Sequence, residues 1–528
     1  MAREEKSVWV RPATGLVRTF STFDMWLMNA WVGVPILQPW YMFPLIAFFA
    51  GGNFFVGGTI ALGLALIPAA TYAFMAASMP RSGGDYVYWS RLIHPIVGFM
   101  VTFSIVFWIN WWIGSNMWGT AMFFADFVRD LGLAGLADWI YTSAGTIITG
   151  TILQIILLVI LICSMRSYRY VQAIFFGWGL LACLEMVVIV AALGPAFVTN
   201  LQNLYGVSAS QIMAMAGEAG FDATPILWQN FLPMIALMWY AMLSPWWSQY
   251  LSGEIKSAET LGVHVKAIVL GGLTTGIFVL LLYLGIYMGI GKDLYNAIIY
   301  LFYFAPDKYP FGQTAPWMWN LARMATGNNP IVGVSLSIPI FLAEWVLNAM
   351  NFLIFSRIFF AWAWDRLIPA KMAYVHPRWH TPVVSLIVTF IIGEISFILQ
   401  TFQQIIGVPW LTDVMAATVG ALLITFAIAM FCAAVVPYKN KEFYEASPMK
   451  KYEIAGVPLI TILGLCGGVL LLLMAYQYVV MELLNISWLL PLAFLVFIVG
   501  IILYYIIKAI RSAQGIDITL AFKEIPAR

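Results

Sequence analysis

Residues 143–164 read SAGTIITGTILQIILLVILICS, an apolar stretch without a charged side chain. A helix that crosses a bilayer needs about 20 mostly apolar residues, so this stretch predicts one membrane span. Together with this stretch, the chain contains about twelve such stretches on its two sides. They run at about 20–48, 54–78, 95–125, 143–164, 170–194, 228–250, 264–289, 331–362, 382–400, 411–437, 456–480 and 486–508. The sequence therefore predicts an all-α integral membrane protein with about twelve transmembrane helices.

The composition of the chain agrees with a location in lipid. Apolar residues make up 62% of the chain and charged residues 9%, whereas soluble domains carry about 25% charged residues. The basic residues form no run, so no nucleic-acid partner is predicted. The cysteines and histidines show no metal-binding or catalytic spacing, and there is no phosphate-binding Gly loop. We therefore predict no metal, no cofactor and no enzyme activity.

The distribution of Lys and Arg predicts the orientation of the spans. If the N-terminus is inside and the spans alternate, the inside segments hold all but a few of the 26 basic residues, as is typical of cytoplasmic loops. The exceptions are Arg129, Lys292, Lys308 and Arg323. We expect a multi-pass protein of the plasma membrane, with cytoplasmic tails at 1–19 and 509–528 and a transporter domain at 20–508. The outer connections at about 195–227 and 290–330 are expected to contain short helices.

Two spans contain residues that interrupt a helix. Span one carries Val32-Gly33-Val34-Pro35, and span six carries Ser244-Pro245-Trp246-Trp247. Proline removes an amide donor and displaces the preceding residue from helical angles. Matched breaks in two inverted repeats are typical of transporters that bind substrate near mid-membrane. The repeats would be about 20–194 and 228–437, with extra helices at 456–508. Ordinary proline kinks are the alternative.

Aromatic and polar residues cluster in span three, at Trp108, Asn110, Trp111, Trp112, Ser115 and Asn116. Together with Trp246 and Trp247 they would wall a pocket for an apolar or aromatic solute, although an aromatic stripe also serves helix packing. The predicted substrate-binding residues are therefore Val32, Gly33, Val34, Ser244, Pro245, Trp246 and Trp111.

Three segments resemble motifs of the amino acid–polyamine–organocation permeases. Residues 80–88, PRSGGDYVY, are similar to the family's PxSGGxYxY. Residues 253–256, GEIK, are similar to its GEvK, and residues 356–382 resemble its SR…RDGxLP…hP…tP stretch. The resemblance implies five plus five helices in inverted repeat, two further C-terminal helices, alternating access, and coupling to an ion gradient or to exchange.

The chain departs from the family pattern at three places. The Gly-rich GxG break of helix one retains only Gly33, and Ser244-Pro245-Trp246-Trp247 stands where helix six usually has GFD or GFE. Some proton-coupled members carry a lysine in helix five, and that position is Gly179 here. The lysine mechanism of those members is therefore not expected in this chain.

Carboxyl groups within spans are costly, at least about 2.5 kcal/mol each, and need a reason. They are Asp24, Glu185, Glu344 and Glu394, and we expect no Lys or Arg at comparable depth to pair with them. The spacing of Ser337, Glu344, Asn348 and Asn351 places them on one helical face. In the resembled family, helix eight runs beside helix one. The predicted coupling-ion or proton site is Glu344, Asn348, Ser337 and Glu185; hydrogen bonding for packing is the alternative.

Charged residues at the inner ends of the spans are candidates for an ion-pair gate. They are Arg81, Asp85, Glu254 and Arg366, with Arg357 and Asp365 nearby. They would equally mark the water boundary of the membrane.

The leading functional prediction is a secondary active transporter for an amino acid or a related small organic amine. It would be coupled to H⁺ or Na⁺, or would work by exchange. A same-fold transporter of another solute and a transporter-like membrane receptor are the alternatives. The predicted partners are a small-molecule substrate, a coupling ion and the lipid bilayer; the oligomeric state is left open.

Overall fold

The computed structural model describes residues 15–32, 35–37, 47–224, 228–241, 246–312, 314–406, 410–480 and 488–523. Helices dominate this part of the chain. In chain order they are α1 Thr22–Val32, α2 Phe54–Ser78, α3 Asp85–Leu92, α4 Pro95–Asp130, α5 Ala134–Ile140, α6 Ser143–Cys163, α7 Met165–Ala192, α8 Gly194–Tyr205, α9 Ala209–Glu218, α10 Trp228–Ala241, α11 Leu261–Gly289, α12 Lys292–Phe304, α13 Met318–Ala325, α14 Pro330–Trp364, α15 Val383–Ile406, α16 Trp410–Lys439, α17 Lys441–Ala446, α18 Leu459–Val480 and α19 Leu489–Ala513.

Ten helices in the described ranges are long and apolar enough to cross a membrane, which confirms the all-α membrane fold. They are α2, α4, α6, α7, α11, α14, α15, α16, α18 and α19. Each begins and ends within a few residues of a predicted span. The larger differences are the ends of α4 at Asp130, α15 at Ile406 and α19 at Ala513, and the start of α7 at Met165. The α7 helix starts early because the Ser164 hydroxyl accepts the amide of Ser167 at 3.0 Å, which caps it directly after α6.

The two spans predicted to be broken are present as shorter helices. Helix α1 ends at Val32 and is followed by a 3₁₀ turn, Pro35–Leu37. Helix α10 ends at Ala241 and is followed by a 3₁₀ turn, Trp247–Tyr250. The proposed break residues Gly33, Val34, Ser244 and Pro245 lie outside the described residues. The count of about twelve spans therefore stays a prediction.

Helix α4 is the central packing element of the bundle. It packs along α14, α15 and α19, whereas α16 and α18 form a pair that reaches α2. Helix α1 packs against α7, α11 and α14, and α10 packs against α2. The ends of the two short helices are therefore surrounded by long helices.

The connections between spans contain the expected short helices, α8 and α9 in the first outer connection and α12 and α13 in the second. A feature that the sequence analysis did not predict is a hairpin between β1, Glu453–Ile454, and β2, Val457–Pro458. Its two turn residues, Ala455 and Gly456, have φ of 49° and 77°. Positive φ at both central positions is the type I′ geometry that suits the twist of a hairpin.

Glycine permits the closest contact between α7 and α11. A Cβ atom at Gly289 would lie 1.8 Å from the Val190 carbonyl oxygen. Next along the chain from α7, a Cβ atom at Gly194 would lie 2.0 Å from the Gly289 carbonyl oxygen. Both neighbours are backbone atoms, so neither gives way easily. The two helices touch at a distance that only glycine allows.

We predict that Gly289→Ala destabilises the protein by about 1–3 kcal/mol, because the added methyl group pushes two helix backbones apart. The matched control is Gly177→Ala in the exposed face of α7, where nothing lies within 4 Å of an added Cβ atom. The melting temperature of purified protein in detergent should fall for the first variant and stay unchanged or rise slightly for the second. Equal melting temperatures would contradict the close contact.

Candidate functional site

The end of α1 is joined by hydrogen bonds to the segment that follows α10. The buried Asn29 side chain donates from Nδ2 to the Ser248 hydroxyl at 2.8 Å. The Ser248 amide donates back to Asn29 Oδ1 at 3.0 Å. Asn29 lies three residues before Val32, where α1 ends, and Ser248 lies in the 3₁₀ turn Trp247–Tyr250 that follows α10. This reciprocal pair holds the end of α1 and the turn after α10 together.

Asn29 also reaches the next helix of the bundle. Its Nδ2 atom donates to the Ala267 carbonyl at 2.9 Å. Ala267 lies in a π-helical turn, Val265–Val269, within α11. Single π turns alter the regular hydrogen-bond ladder and are frequent at functional sites. Asn29 thus connects α1, the turn after α10 and the irregular part of α11.

The last turn of α1 lies between α11 and α14. Thr275 on α11 donates from its hydroxyl to the Ala30 carbonyl at 2.8 Å. The Trp31 indole donates to the Ala343 carbonyl on α14 at 3.3 Å. The residue after Ala343 is Glu344, whose side chain is fully buried. The end of α1 is therefore bonded to the backbone of α14 at the residue before the predicted coupling residue Glu344.

The predicted polar stripe of α14 divides into two parts. Asn348 donates from Nδ2 to the Ile113 carbonyl of α4 at 3.1 Å. Its Oδ1 accepts from Asn351 at 3.2 Å and from Asn116 at 3.4 Å. Ser337, by contrast, bonds to a carbonyl of its own helix at 3.5 Å. The asparagines therefore attach α14 to α4, and Ser337 is not part of that network.

Glu185 and Glu394 each accept a hydroxyl from another helix. Ser335 of α14 donates to Glu185 Oε1 at 2.6 Å, so the predicted residue Glu185 faces α14 from α7. Thr151 of α6 donates to Glu394 of α15. Ser335 was missed by the sequence analysis although it lies on the same helix as the predicted stripe.

The expectation that Asp24 lacks a basic partner is wrong. Arg169 lies 2.7 Å from Asp24 Oδ2, and the Ser21 hydroxyl donates to the same oxygen at 2.7 Å. Arg169 was assigned to the loop before span five. Because α7 begins at Met165, Arg169 instead lies in the first turns of that helix and reaches α1.

Aromatic rings surround Trp246, just before the 3₁₀ turn that follows α10. Trp246 is fully buried. It stacks on Tyr72 of α2 with a centroid distance of 5.1 Å and meets the edge of Phe426 of α16 at 5.2 Å. Trp247 packs on the same Phe426 ring at 5.9 Å. The predicted residue Trp111 is half-buried on α4, and its carbonyl accepts a side-chain amide of α15 at 2.8 Å.

Two buried ion pairs lie at the end of the bundle that is predicted to be cytoplasmic. Arg357 of α14 donates from Nε to Glu254 Oε1 at 2.9 Å and from Nη2 to Glu254 Oε2 at 2.7 Å. Arg91 of α3 binds Asp365 at 2.6 and 2.7 Å. All four side chains are at most 3% exposed. We call these four residues the gate cluster.

Two other predicted gate residues are Arg81 and Arg366. Arg81 donates to the Pro80 carbonyl at 3.0 Å. Arg366 is exposed at the end of α14, with φ of 63°. Arg91 belongs to the cluster but was not predicted as a gate residue. Arg91 lies five positions after Tyr86 in the sequence, and this spacing was the available signal. The Tyr86 hydroxyl also donates to Asp365, at 2.7 Å.

Within the described part of the chain, Asp85 accepts hydrogen bonds from uncharged groups only. Tyr72 donates to Oδ1 at 2.9 Å and Trp89 donates to Oδ1 at 2.7 Å. Gln249 donates to Oδ2 at 3.0 Å and Tyr250 donates to Oδ2 at 2.5 Å. Burial raises the pKa of the Asp85 carboxyl, and these hydrogen bonds offset only part of that effect.

Backbone hydrogen bonds close the space around the gate cluster. The Phe20 amide, just before α1, donates to the Glu254 carbonyl at 3.1 Å. The Gly83 amide, just before α3, donates to the Tyr250 carbonyl at 2.9 Å. The start of α1, the start of α3 and the segment after α10 are therefore held together at this end of the bundle.

A family model described as amino acid permease matches residues 19–503, which is nearly the whole chain. The chain belongs to the amino acid permease family. The permease is also similar to the branched-chain amino acid permease BcaP of Bacillus subtilis (strain 168), with 21% identity over 469 residues that cover 87% of this chain and 86% of the relative. It is therefore a multi-pass membrane transporter with a small-molecule substrate.

The departure at Gly179 has a structural counterpart in this permease. A Cβ atom at Gly179 would lie 3.5 Å from the Trp31 ring and 3.9 Å from Ile36. The indole ring therefore occupies the space into which a longer side chain at 179 would extend.

In the described ranges, no three His, Cys, Asp or Glu residues are grouped so as to hold a metal ion.

We predict that Glu254→Gln lowers the stability of the permease by about 3–5 kcal/mol, because it leaves the buried Arg357 guanidinium without a countercharge. The control is Glu259→Gln, which removes an exposed pair with Arg18 at 3.4 Å and should cost less than about 1 kcal/mol. Thermal unfolding in detergent measures both. If the two variants unfold at the same temperature, the buried pair contributes no special stability.

Proposed function

We propose that this permease moves an apolar amino acid across the membrane by alternating access, driven by a proton gradient. The observation that carries the proposal is the pairing of Asn29 at the end of α1 with Ser248 in the turn after α10. Trp31, in the same last turn of α1, bonds to the carbonyl of the residue before Glu344. A substrate site formed by interrupted helices, next to a buried carboxyl group, supplies both requirements of coupled transport.

The substrate is proposed to bind where α1 and α10 are interrupted. The residues assigned to it are Val32, Gly33, Val34, Ser244, Pro245, Trp246 and Trp111. Interrupted helices present free backbone amides and carbonyls to the charged ends of an amino acid. The Trp246 indole N–H is buried and has no hydrogen-bond partner among the described residues, so it offers a further donor.

The aromatic surroundings favour an apolar side chain on the substrate. Trp246 and Trp247 both pack on Phe426, and Trp246 also stacks on Tyr72. Aromatic rings bury apolar groups well and exclude water. The similarity to a branched-chain amino acid permease points in the same direction.

Coupling is assigned to Glu344, with Asn348, Ser337 and Glu185 as further members. Glu344 is fully buried on α14, and Trp31 of α1 bonds to the carbonyl of the residue before it. Ionisable residues inside transmembrane helices often belong to ion or proton pathways. Movement of α1 would change the surroundings of α14, so proton binding and the position of α1 would depend on each other.

The gate is assigned to the cytoplasmic end of the bundle, with Arg81, Asp85, Glu254 and Arg366 at the inner mouth. The protein is assigned to the plasma membrane, and both tails, 1–19 and 509–528, are assigned to the cytoplasm. The asymmetry of basic residues supports this orientation. The buried pair of Glu254 and Arg357 supports a gate that is closed in this structure.

We predict that the reconstituted permease accumulates radiolabelled leucine when a proton gradient is directed into the liposomes. Isoleucine and valine should compete, and lysine should compete at least roughly tenfold less well, because a charged side chain is costly in an apolar pocket. Empty liposomes and a collapsed gradient are the controls. Accumulation of lysine in preference to leucine would contradict the proposed substrate class.

We predict that Glu344→Gln reduces leucine accumulation to the level seen with a collapsed gradient, because the amide cannot carry a proton. Exchange of labelled for unlabelled leucine should persist, since it needs no net proton movement. The control is Glu394→Gln, which neutralises a carboxyl group bonded to Thr151 away from α1. Full gradient-driven accumulation by Glu344→Gln would rule out this residue as the coupling site.

A further inference from the structure

Among the described residues, Asp85 differs from the acids of the gate cluster, because it is buried without a cation. It is the first residue of α3, in the connection between α2 and α4, and its exposed fraction is 0%. Glu254 and Asp365 in the same region are each bound by an arginine. Among the described residues, Asp85 forms no ion pair. A buried carboxylate without a countercharge is expensive to keep ionised.

The groups that face Asp85 provide no compensating charge. The titratable ones are Tyr72 on α2, Tyr88 on α3, Tyr250 after α10 and Cys432 on α16. All four are acids that are neutral when protonated. Burial is the largest influence on Asp85 and raises the pKa of its carboxyl group. Proton binding therefore relieves the cost of burying Asp85.

The surroundings of Asp85 suit both protonation states. Four donors occupy the four acceptor positions of its two oxygens when it is ionised. The Gln249 amide that donates to Asp85 leaves its own oxygen, Oε1, buried and without a partner in the described part of the chain. Rotation of that amide by half a turn would present Oε1 to a protonated Asp85, which then donates.

The donors come from segments that the gate holds together. Tyr72 belongs to α2, Trp89 to α3, and Gln249 and Tyr250 to the turn after α10. The Tyr250 carbonyl also accepts the Gly83 amide, so the turn after α10 is attached to the start of α3 at this point. Separation of these segments would admit water to Asp85 and remove the burial that favours its neutral form.

We propose that Asp85 is a proton-binding site that controls the gate cluster: it holds a proton while this end of the bundle is closed and releases it to water on opening. The proposal deepens the alternating-access function and rests on it. A carboxyl group that binds its proton more tightly in the closed state favours closure at low pH. That preference is lost as the pH rises, because the ionised group is costly only when buried.

The experiment measures how open the gate end is, without substrate, at several pH values. Ser252, fully buried behind the gate, is replaced by cysteine and labelled with a membrane-impermeant maleimide in purified full-length protein. Peptide mass identifies labelling at this position, so the native cysteines do not interfere. The rate is divided by that of Lys256→Cys, an exposed position in the same connection, which removes the pH dependence of the thiol itself.

We expect the ratio to rise with pH by up to about tenfold per pH unit, since one proton is exchanged. Asp85→Asn, which stays neutral, should remain protected and vary less than about twofold across the range. Tyr72→Phe keeps the ring and removes one donor to the ionised form. It should therefore move the rise to higher pH by about one unit. A purely structural role for Asp85 would not produce such a shift.

A flat ratio between about pH 5 and pH 9 in the parent protein, or the same rise in Asp85→Asn, would overturn the proposal. Size-exclusion profiles establish that each variant is folded, and Tyr72→Phe provides a second test if Asp85→Asn is not. The outcome is separate from that of the leucine assay. A pH-dependent ratio without leucine uptake would leave the proton-linked gate intact and remove the proposed substrate.

Discussion

Backbone groups at membrane depth need hydrogen-bond partners inside the protein, because lipid offers none, and the region around the interrupted helices depends on this constraint. Around the end of α1, side chains bond to backbone carbonyls of neighbouring segments. The carbonyls that receive such donors include Ala30 at the end of α1, Ala267 in the π-helical turn of α11, and Ala343 within α14. These bonds attach α1 to α11 and α14, and the Asn29–Ser248 pair attaches it to the turn after α10. The same bonds therefore satisfy the backbone and bring the candidate substrate and coupling residues together.

Buried charge organises the opposite end of the site in a similar way. Two arginines, Arg357 and Arg91, each hold an acid that lies far away in the sequence, and the backbone of three segments closes around them. Such pairs fix geometry more than they add stability, since desolvation offsets much of their attraction. Asp85 is held in a different manner, by neutral donors, and so its charge depends on whether water reaches it. One end of the bundle thus contains both permanent ion pairs and a carboxyl group able to change its charge.

Much of the architecture was predictable, and much of the site was not. Long apolar stretches marked the spans, and the three motifs that resemble amino acid permeases indicated the family that the full-length match established. Asn29 and Ser335 were missed because a single polar residue in an apolar run carries no periodic signal, although its presence at membrane depth was itself a cue. The pairing of Asp24 with Arg169 was missed because the start of α7 was predicted five residues too late, which assigned Arg169 to a loop.

The sequence by itself determined the class of the molecule, the positions of its spans and its membership of the family. These follow from local composition and spacing, because each span must be apolar along its own length whatever its neighbours are. Only the tertiary structure decided which polar side chains meet. Glu254 and Arg357 are 103 positions apart, and Asn29 and Ser248 are 219 apart. Their contacts depend on how the helices pack, and no local sequence pattern predicts that packing. The same holds for Asp85, whose described neighbours on other segments are neutral hydrogen-bond donors.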